Sequence, residues 1–211
     1  MLRDHLVFLR EFIAEFEHTG TVWPTSAQAA RTLADPLLTD RGPKTILEIG
    51  PGTGSVTVEI LRHMQPGDHL TVCEINPRFM RALKENLAGN PDFVQHRENI
   101  LFFEGPVQNL PEDRHFDVIV CALPFLNFEL SIVQEIFEKL RRVSTSETVM
   151  TYYEYIGLRQ LGKVVPSKKA RMRELDPFFK AMHSRHRARR TRVWWNLLPI
   201  NIYRLELDLP A

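Results

Sequence analysis

The residues whose types and spacing bear on chemistry gather first around a run of glycines. Ile46-Leu47-Glu48-Ile49-Gly50-Pro51-Gly52-Thr53-Gly54 reads as a short apolar strand leading into glycines at alternate positions. Glycine lets the backbone turn sharply out of a strand and approach a ligand with no Cβ in the way. A helix starting at about Ser55 then presents unpaired N–H groups and the positive end of its dipole. A dinucleotide loop has the spacing G-x-G-x-x-G, opened for a pyrophosphate. Here the pattern is G-x-G-x-G, with Glu48 two residues earlier inside the strand. A carboxylate repels a pyrophosphate and attracts a ligand that carries ammonium and sulfonium charges. Glu74, ending the next apolar strand, is placed to accept both hydroxyl hydrogens of a ribose. Together these elements favour S-adenosylmethionine over NAD. The simpler alternative is a surface turn, with Glu74 capping the helix after it.

Elements that position these residues follow from the apolar pattern. Short apolar runs at Thr45–Ile49, Leu70–Glu74, Ile100–Glu104, Phe116–Cys121 and Thr148–Tyr153 read as buried strands. Helices are predicted from about Ser55 to Met64, at Pro77–Leu87, opened by proline in its first turn, and at Leu130–Arg142. Continuously apolar strands alternating with helices imply a parallel sheet covered on both faces. Arg192–Trp195 and Ile200–Leu207 read as strands that close the sheet in an antiparallel manner. Before the sheet, Leu2, Leu6, Leu9, Ile13 and Phe16 recur at helical spacing, so residues 2–17 form an amphipathic helix. A second helix runs from Ala27 to about Leu38, with Thr25 or Ser26 as its N-cap. The expected organisation is an N-terminal helical extension over 1–40 and an α/β domain over 41–211, with a basic insertion at 158–192.

The formal charge of +1 over 211 residues conceals an asymmetry. Residues 158–192 hold twelve Lys and Arg against Glu174 and Asp176, a net of +10 that leaves −9 for the rest. Such a segment meets phosphates of nucleic acid or of an anionic membrane, or is an ordinary solvated helix face. Cys73 and Cys121 lie in apolar runs without C-x-x-C spacing, which fits reduced thiols in a cytosolic-type compartment. No run approaches the roughly 18 apolar residues of a membrane span. Arg3, Asp4, Arg10 and Glu11 interrupt the first segment, against a cleavable signal peptide. No metal site is expected.

Glu48-Ile49-Gly50-Pro51-Gly52-Thr53-Gly54 resembles the E/D-x-G-x-G-x-G motif of class I S-adenosylmethionine-dependent methyltransferases, and Glu74-Ile75-Asn76 their ribose-binding strand end. The resemblance implies a Rossmann-like, mostly parallel seven-stranded sheet with an antiparallel closing strand. It also implies S-adenosylmethionine as cofactor and S-adenosylhomocysteine (SAH) as product. Adenine would lie by Gly105-Pro106-Val107-Gln108, where Val107 can offer its backbone N–H; the family's Asp is Pro106 here. Cys121-Ala122-Leu123-Pro124-Phe125 is similar to the N-x-P-Y/F turn of adenine amine methyltransferases. Cys121 stands where their Asn accepts from the base, which argues against nucleic acid as substrate.

The layout as a whole resembles the soluble bacterial phospholipid N-methyltransferases of the Rhodobacter type. The matching segments are the first helix, Pro24-Thr25-Ser26, Leu47–Gly54, Ala122–Phe125, Met150-Thr151-Tyr152 and Val193-Trp194-Trp195-Asn196-Leu197-Leu198-Pro199. This implies stepwise methylation of phosphatidylethanolamine towards phosphatidylcholine by a cytoplasmic protein, peripheral on the inner face of the cell membrane. Trp23, Thr25 and Ser26 would lie over the cofactor, with Cys121 lining it. An alkylammonium has a pKa near 10.4, so its neutral form costs roughly 4–5 kcal/mol at pH 7. Tyrosines can hydrogen-bond an amine and hold a methylated ammonium over their rings. Alternation places Tyr153 and Tyr155 on one face and Tyr152 on the other. The family match puts Tyr152 first, with Tyr155 its rival and Glu154 between them. Leu123, Pro124 and Phe125 would face the substrate. Lys168, Lys169, Arg171, Arg187, Arg189 and Arg190 would clamp the lipid phosphate or sit on anionic head groups. Residues 1–18 would anchor the protein in the interface, although that helix is itself net acidic. The alternatives are an rRNA adenine dimethyltransferase-like enzyme and a non-catalytic lipid- or RNA-binding module.

Overall fold

A computed structural model of the protein describes residues 25–39, 42–160 and 166–207, with backbone alone for 166–168. The predicted first helix, the anchor over 1–18 and Trp23 lie outside the described residues.

Ser26 starts the described chain's first helix. Its side chain accepts from the Ala29 amide and caps α1 (Ala27–Ala34). Pro36 then prevents the α-helix from continuing to Leu38, and Asp35–Leu38 is a 3₁₀ turn instead. The apolar runs become β1 (Thr45–Ile49), β2 (His69–Glu74), β3 (Ile100–Glu104) and β4 (Phe116–Cys121), in the positions that the sequence predicts within one residue. Between them lie α2 (Ser55–His63), α3 (Pro77–Leu87) and α4 (Pro91–His96), the last unforeseen. α5 (Leu130–Arg142) leads into β5 (Ser144–Tyr155), longer than predicted at both ends. β5 pairs with β4 at Phe116↔Ser144 and then, after a register shift, at Val118↔Val149. The extra residues form a bulge within β5 held by Thr148, whose hydroxyl donates to the Phe116 carbonyl at 2.6 Å and accepts from the Thr145 amide at 2.7 Å.

The basic segment is folded into this architecture. It supplies α6 (Pro166–Arg185) and most of β6 (Arg189–Val193), and β7 (Ile200–Glu206) completes the sheet. Met172, Leu175, Phe179 and Met182 of α6 are buried in the core. The strand predicted at Arg192–Trp195 begins three residues earlier, and both tryptophans fall outside it. Strand order is β3-β2-β1-β4-β5-β7-β6. β7 is the antiparallel strand, inserted between β5 and β6, so β6 rather than β7 forms the edge.

Two apolar layers enclose the sheet. α1, α2 and α3 pack on one face with Ile46, Val72, Val120 and Ile202. α5 and α6 pack on the other with Leu47, Ile119, Tyr152 and Leu205. α1 is tied to the sheet by the Thr151 hydroxyl, which donates to the Leu33 carbonyl at 2.7 Å. Among the described residues, no helix is long and apolar enough to cross a membrane.

Candidate active site

The loops that leave the parallel strands all emerge at one edge. The Gly50 amide donates to the Cys73 carbonyl, Ala122 to Ile49 and Gly105 to Glu74, at 2.8–2.9 Å. Each of these loops thus departs in register with its neighbour, and Gly50, Glu74, Gly105 and Ala122 share the carboxyl edge. Gly50, Gly52 and Gly54 all have positive φ, at 70°, 56° and 95°. A Cβ on Gly50 would meet Leu123 Cδ2 at 3.0 Å, and one on Gly54 would meet Leu83 Cδ1 at 2.5 Å. The loop is thus pressed between the Leu123 turn and α3, and the Asn86 side chain of α3 donates to the Thr53 carbonyl at 3.2 Å.

Glu48 and Glu74 lie on the α2 side of the sheet. Both Glu48 oxygens are buried with no hydrogen-bond partner. Burial pushes the Glu48 carboxyl up to about 8; the Thr57 hydroxyl lies close enough to oppose this but outside hydrogen-bonding geometry, and the Glu74 charge adds to the rise. Glu74 accepts from the Asn76 amide at 2.8 Å, and the Asn76 side chain in turn caps α3 by accepting from Arg78 at 2.9 Å. Burial raises the Glu74 carboxyl, while the amides of Asn76, Gly52 and Ile75 pull it down. Val107, itself buried, opens a 3₁₀ turn on the loop after β3. A buried carboxylate without a partner, beside a loop that excludes side chains, suits a cationic ligand. These residues fit S-adenosylmethionine.

Several expected residues lie elsewhere. Cys121 is fully buried in the α5–α6 layer, its thiol pushed up to about 12 by burial, so its side chain does not line the cofactor cleft. Phe125 is buried too, packed against Phe128, Phe137, Tyr152 and Phe179, rather than facing a substrate. Tyr152, the first choice for catalysis, has no exposed surface. Its ring stacks on Tyr203 and Phe179, and its hydroxyl meets His183 Nε2 at 2.5 Å and Glu154 at 3.4 Å. Alternation explains this: Tyr152 points under α6, whereas Tyr153 and Tyr155 point to the face that holds Glu48 and Glu74. Glu154 is bound by Arg159, whose other nitrogen reaches Asp176 at 3.1 Å. Ser26 caps α1, and its amide donates to Asn196 Oδ1 at 2.9 Å.

The basic residues do not form one clamp. Lys169 and Arg171 lie near the start of α6 and Arg187 beyond its end, roughly 25 Å away along a helix. Arg171 pairs with Glu129 at 3.0 Å. Arg189 and Arg190 are neighbours in β6 and so point to opposite faces. What the fold assembles instead is a groove of about 530 Å³ at the end of β5, lined by Glu154, Tyr155, Arg159, Asp176, Lys180, His183, Arg190, Arg192, Trp194, Asn201 and Tyr203. Sequence reasoning missed Lys180, His183, Arg192 and Asn201; the alternation of Arg190 and Arg192 along β6 is the one signal that placed two cations together. Tyr155 also lines a smaller recess with Pro124.

A seven-stranded sheet of this order, with a glycine loop after β1 and carboxylates on β1 and β2, defines the class I S-adenosylmethionine-dependent methyltransferase fold. Residues 46–147 match the family model described as a methyltransferase domain. This chain therefore has the class I methyltransferase fold, with a methyltransferase-domain match over just under half of its length. It is similar to an ornithine lipid N-methyltransferase of Singulisphaera acidiphila, 25% identical over 148 residues that cover 67% of this chain and 73% of that one. It is also similar to a probable dimethyladenosine transferase of Caenorhabditis elegans, 36% identical over 81 residues, which are 38% of this chain and 24% of that one. An O-methyltransferase from Bacillus cereus in complex with SAH shares the fold, with a TM-score of 0.64 at 16% identity, over 94% and 90% of the two chains.

Proposed function

We propose that the protein methylates the amine of a membrane phospholipid head group, converting phosphatidylethanolamine through its mono- and dimethyl forms towards phosphatidylcholine. The observation that carries this reading is the groove beside Tyr155. Arg190 and Arg192 give it a cationic side, and opposite them the carboxylates of Glu154 and Asp176 are paired with Arg159 and Lys180. A zwitterionic head group is complementary to that arrangement: its phosphate faces the guanidinium groups and its amine extends towards Tyr155. The lipid-methylating relative supports the same substrate class.

Bound at Glu48, Gly50, Gly52, Thr53, Gly54, Glu74, Ile75, Asn76 and Val107, S-adenosylmethionine supplies an electrophilic methyl group. The remaining work is this chain's own. Leu123 and Pro124 wall the approach between the glycine loop and Tyr155, excluding water. The Tyr155 hydroxyl accepts from the substrate N–H and orients the nitrogen lone pair. Its ring and that of Tyr153 hold the ammonium product, whose charge grows more diffuse with each methyl group. Glu154, already held by Arg159, fixes the groove; the substrate ammonium gives its proton to water in the open groove before the attack, and each methylated ammonium gives up another before the next transfer. The protein works at the cytoplasmic leaflet as a peripheral enzyme, with residues 1–18 and the start of α6, including Lys168 and Lys169, against anionic lipid.

Incubation with methyl-labelled S-adenosylmethionine and vesicles of phosphatidylethanolamine, vesicles of ornithine lipid, or RNA tests the reading. Label is expected in phosphatidylethanolamine. Label in ornithine lipid alone would move the substrate to another amine lipid. Label in RNA alone would overturn the lipid reading, and label in none would leave a binding module.

A further inference from the structure

Four large apolar side chains stand in solvent within one short loop. Trp194 is 59% exposed, Trp195 84%, Leu197 59% and Leu198 54%. The loop joins β6 to β7 at the carboxyl edge, the edge that carries the glycine loop and Tyr155. It is held in this shape by polar contacts directed inward. Asn196 donates to the Leu198 carbonyl at 3.0 Å and accepts from the Ser26 amide, and the Ile156 amide donates to the Pro199 carbonyl at 2.8 Å. The remaining exposed large apolar residues, Leu38, Val94 and Leu101, are scattered singly along the described chain. A contiguous apolar tip on a fixed scaffold marks an interaction surface rather than chance exposure.

The chemistry of the tip selects its partner. Indole is apolar in body with one polar N–H, and it settles at the boundary between head groups and acyl chains. Arg190 and Arg192 precede the loop on the groove side of β6, placing cations where lipid phosphates lie. Trp194 belongs to both features: it lines the head-group groove and begins the apolar tip. A lipid seated in the groove therefore has its acyl chains leaving past Trp194, on the side where the tip enters the membrane.

We infer that the β6–β7 loop inserts into the lipid bilayer that carries the substrate, so that the head group enters the groove while its acyl chains stay in the membrane. This rests on the lipid reading above and adds a second membrane contact, in the folded domain itself. The competing cover is the chain's own residues 1–24, which join the described structure beside Asn196.

The chain contains Trp23, Trp194 and Trp195, so Trp23→Phe with Trp194→Phe leaves Trp195 as the sole tryptophan, excited selectively beyond the tyrosine band. With vesicles of phosphatidylethanolamine and phosphatidylglycerol, its emission is expected to shift to the blue and to be quenched by brominated acyl chains. In a separate variant, Trp195→Ser with Leu197→Ser is expected to weaken vesicle partitioning by about tenfold or more. Methylation of monomeric short-chain phosphatidylethanolamine by that variant should be unchanged. No vesicle binding, or an unquenched Trp195 in vesicle-bound protein, overturns the inference. So does emission that is already blue without lipid and turns red once residues 1–18 are removed, because the loop is then covered by its own chain. Quenching without methylation of any amine lipid overturns the substrate reading alone.

Discussion

The Tyr152 hydroxyl and Nε2 of His183 lie 2.5 Å apart, joining the middle of β5 to the last turn of α6 beneath a layer of aromatic rings. This contact separates two tyrosines that the sequence leaves as rivals. Tyr152→Phe leaves a buried polar group short of a partner and is expected to cost about 1–2 kcal/mol of stability, with little change in kcat. Tyr155→Phe is expected to lower kcat by about tenfold or more at unchanged stability, since one catalytic hydrogen bond is lost. Urea unfolding together with steady-state kinetics on both variants checks the assignment, and the reverse pattern would return Tyr152 to the site.

His183 also sets a pH dependence. Burial, then the charges of Arg159 and Arg190, lowers its pKa from 6.5 to about 4. The native state therefore binds fewer protons than the unfolded chain between these values. Its contribution to stability is present above pH 6.5 and is lost as pH falls towards 4. The urea midpoint should drop more steeply over that window in the wild type than in His183→Gln.

Glu48 behaves in the opposite sense. Its pKa is raised from 4.5 to about 8, so the folded, ligand-free protein holds a proton at pH 7 that the unfolded chain releases. Its contribution is present below pH 4.5 and is lost as pH rises through 8. A cationic ligand beside it favours the ionised form, so cofactor binding should release a proton and tighten as pH rises towards 8. Calorimetry in buffers of different ionisation enthalpy measures that release, which Glu48→Gln should abolish.

Gly54→Ala places a methyl group at φ 95°, 2.5 Å from Leu83 Cδ1. A loss of about 1–3 kcal/mol is expected from the backbone strain. In a Leu83→Ala background, which itself opens a cavity in the core, the clash is absent and Gly54→Ala should cost less than it does in the wild type. A cost of zero in that background would mean that the positive φ is not strained by a side chain here.

In the groove, Arg190→Ala with Arg192→Ala should raise KM for phosphatidylethanolamine with little change in the affinity for S-adenosylmethionine. Two charge-assisted contacts at an exposed groove amount to about 1–2 kcal/mol, roughly a fivefold to thirtyfold rise in KM. An equal effect on cofactor affinity would place these residues at the wrong ligand.

Where local chemistry decides, sequence and structure agree closely. Apolar runs define β1, β3 and β4, and Pro77 after the Asn76 cap defines α3. The same Asn-Pro pairing at Asn90-Pro91 starts α4 and was available as a signal. β6 was displaced because Arg189-Arg190-Thr191-Arg192 has no apolar alternation. An edge strand is defined by backbone pairing on one side, which leaves little mark on composition. The glycine loop and both carboxylates were legible because their spacing is local. The groove was not, because it depends on how α6 lies across β5, β7 and β6, bringing Lys180 and His183 to Arg190 and Asn201. Tyr152 was misplaced by similarity of motif where strand alternation already put it on the other face.

The bulge in β5 between Ser144 and Val149 can absorb a change in chain length before it reaches the site. An inserted residue at 146–147 would alter the span of that bulge, while the pairing of Val149–Tyr155 with β7 keeps its phase. The same change inside Val149–Tyr155 would exchange the two faces of the strand. Tyr155 would then turn beneath α6, and Glu154 would be carried to the side of Glu48 and Glu74. A change of length in the first third of this strand would thus leave the phase of the site intact, and one in the remainder would not.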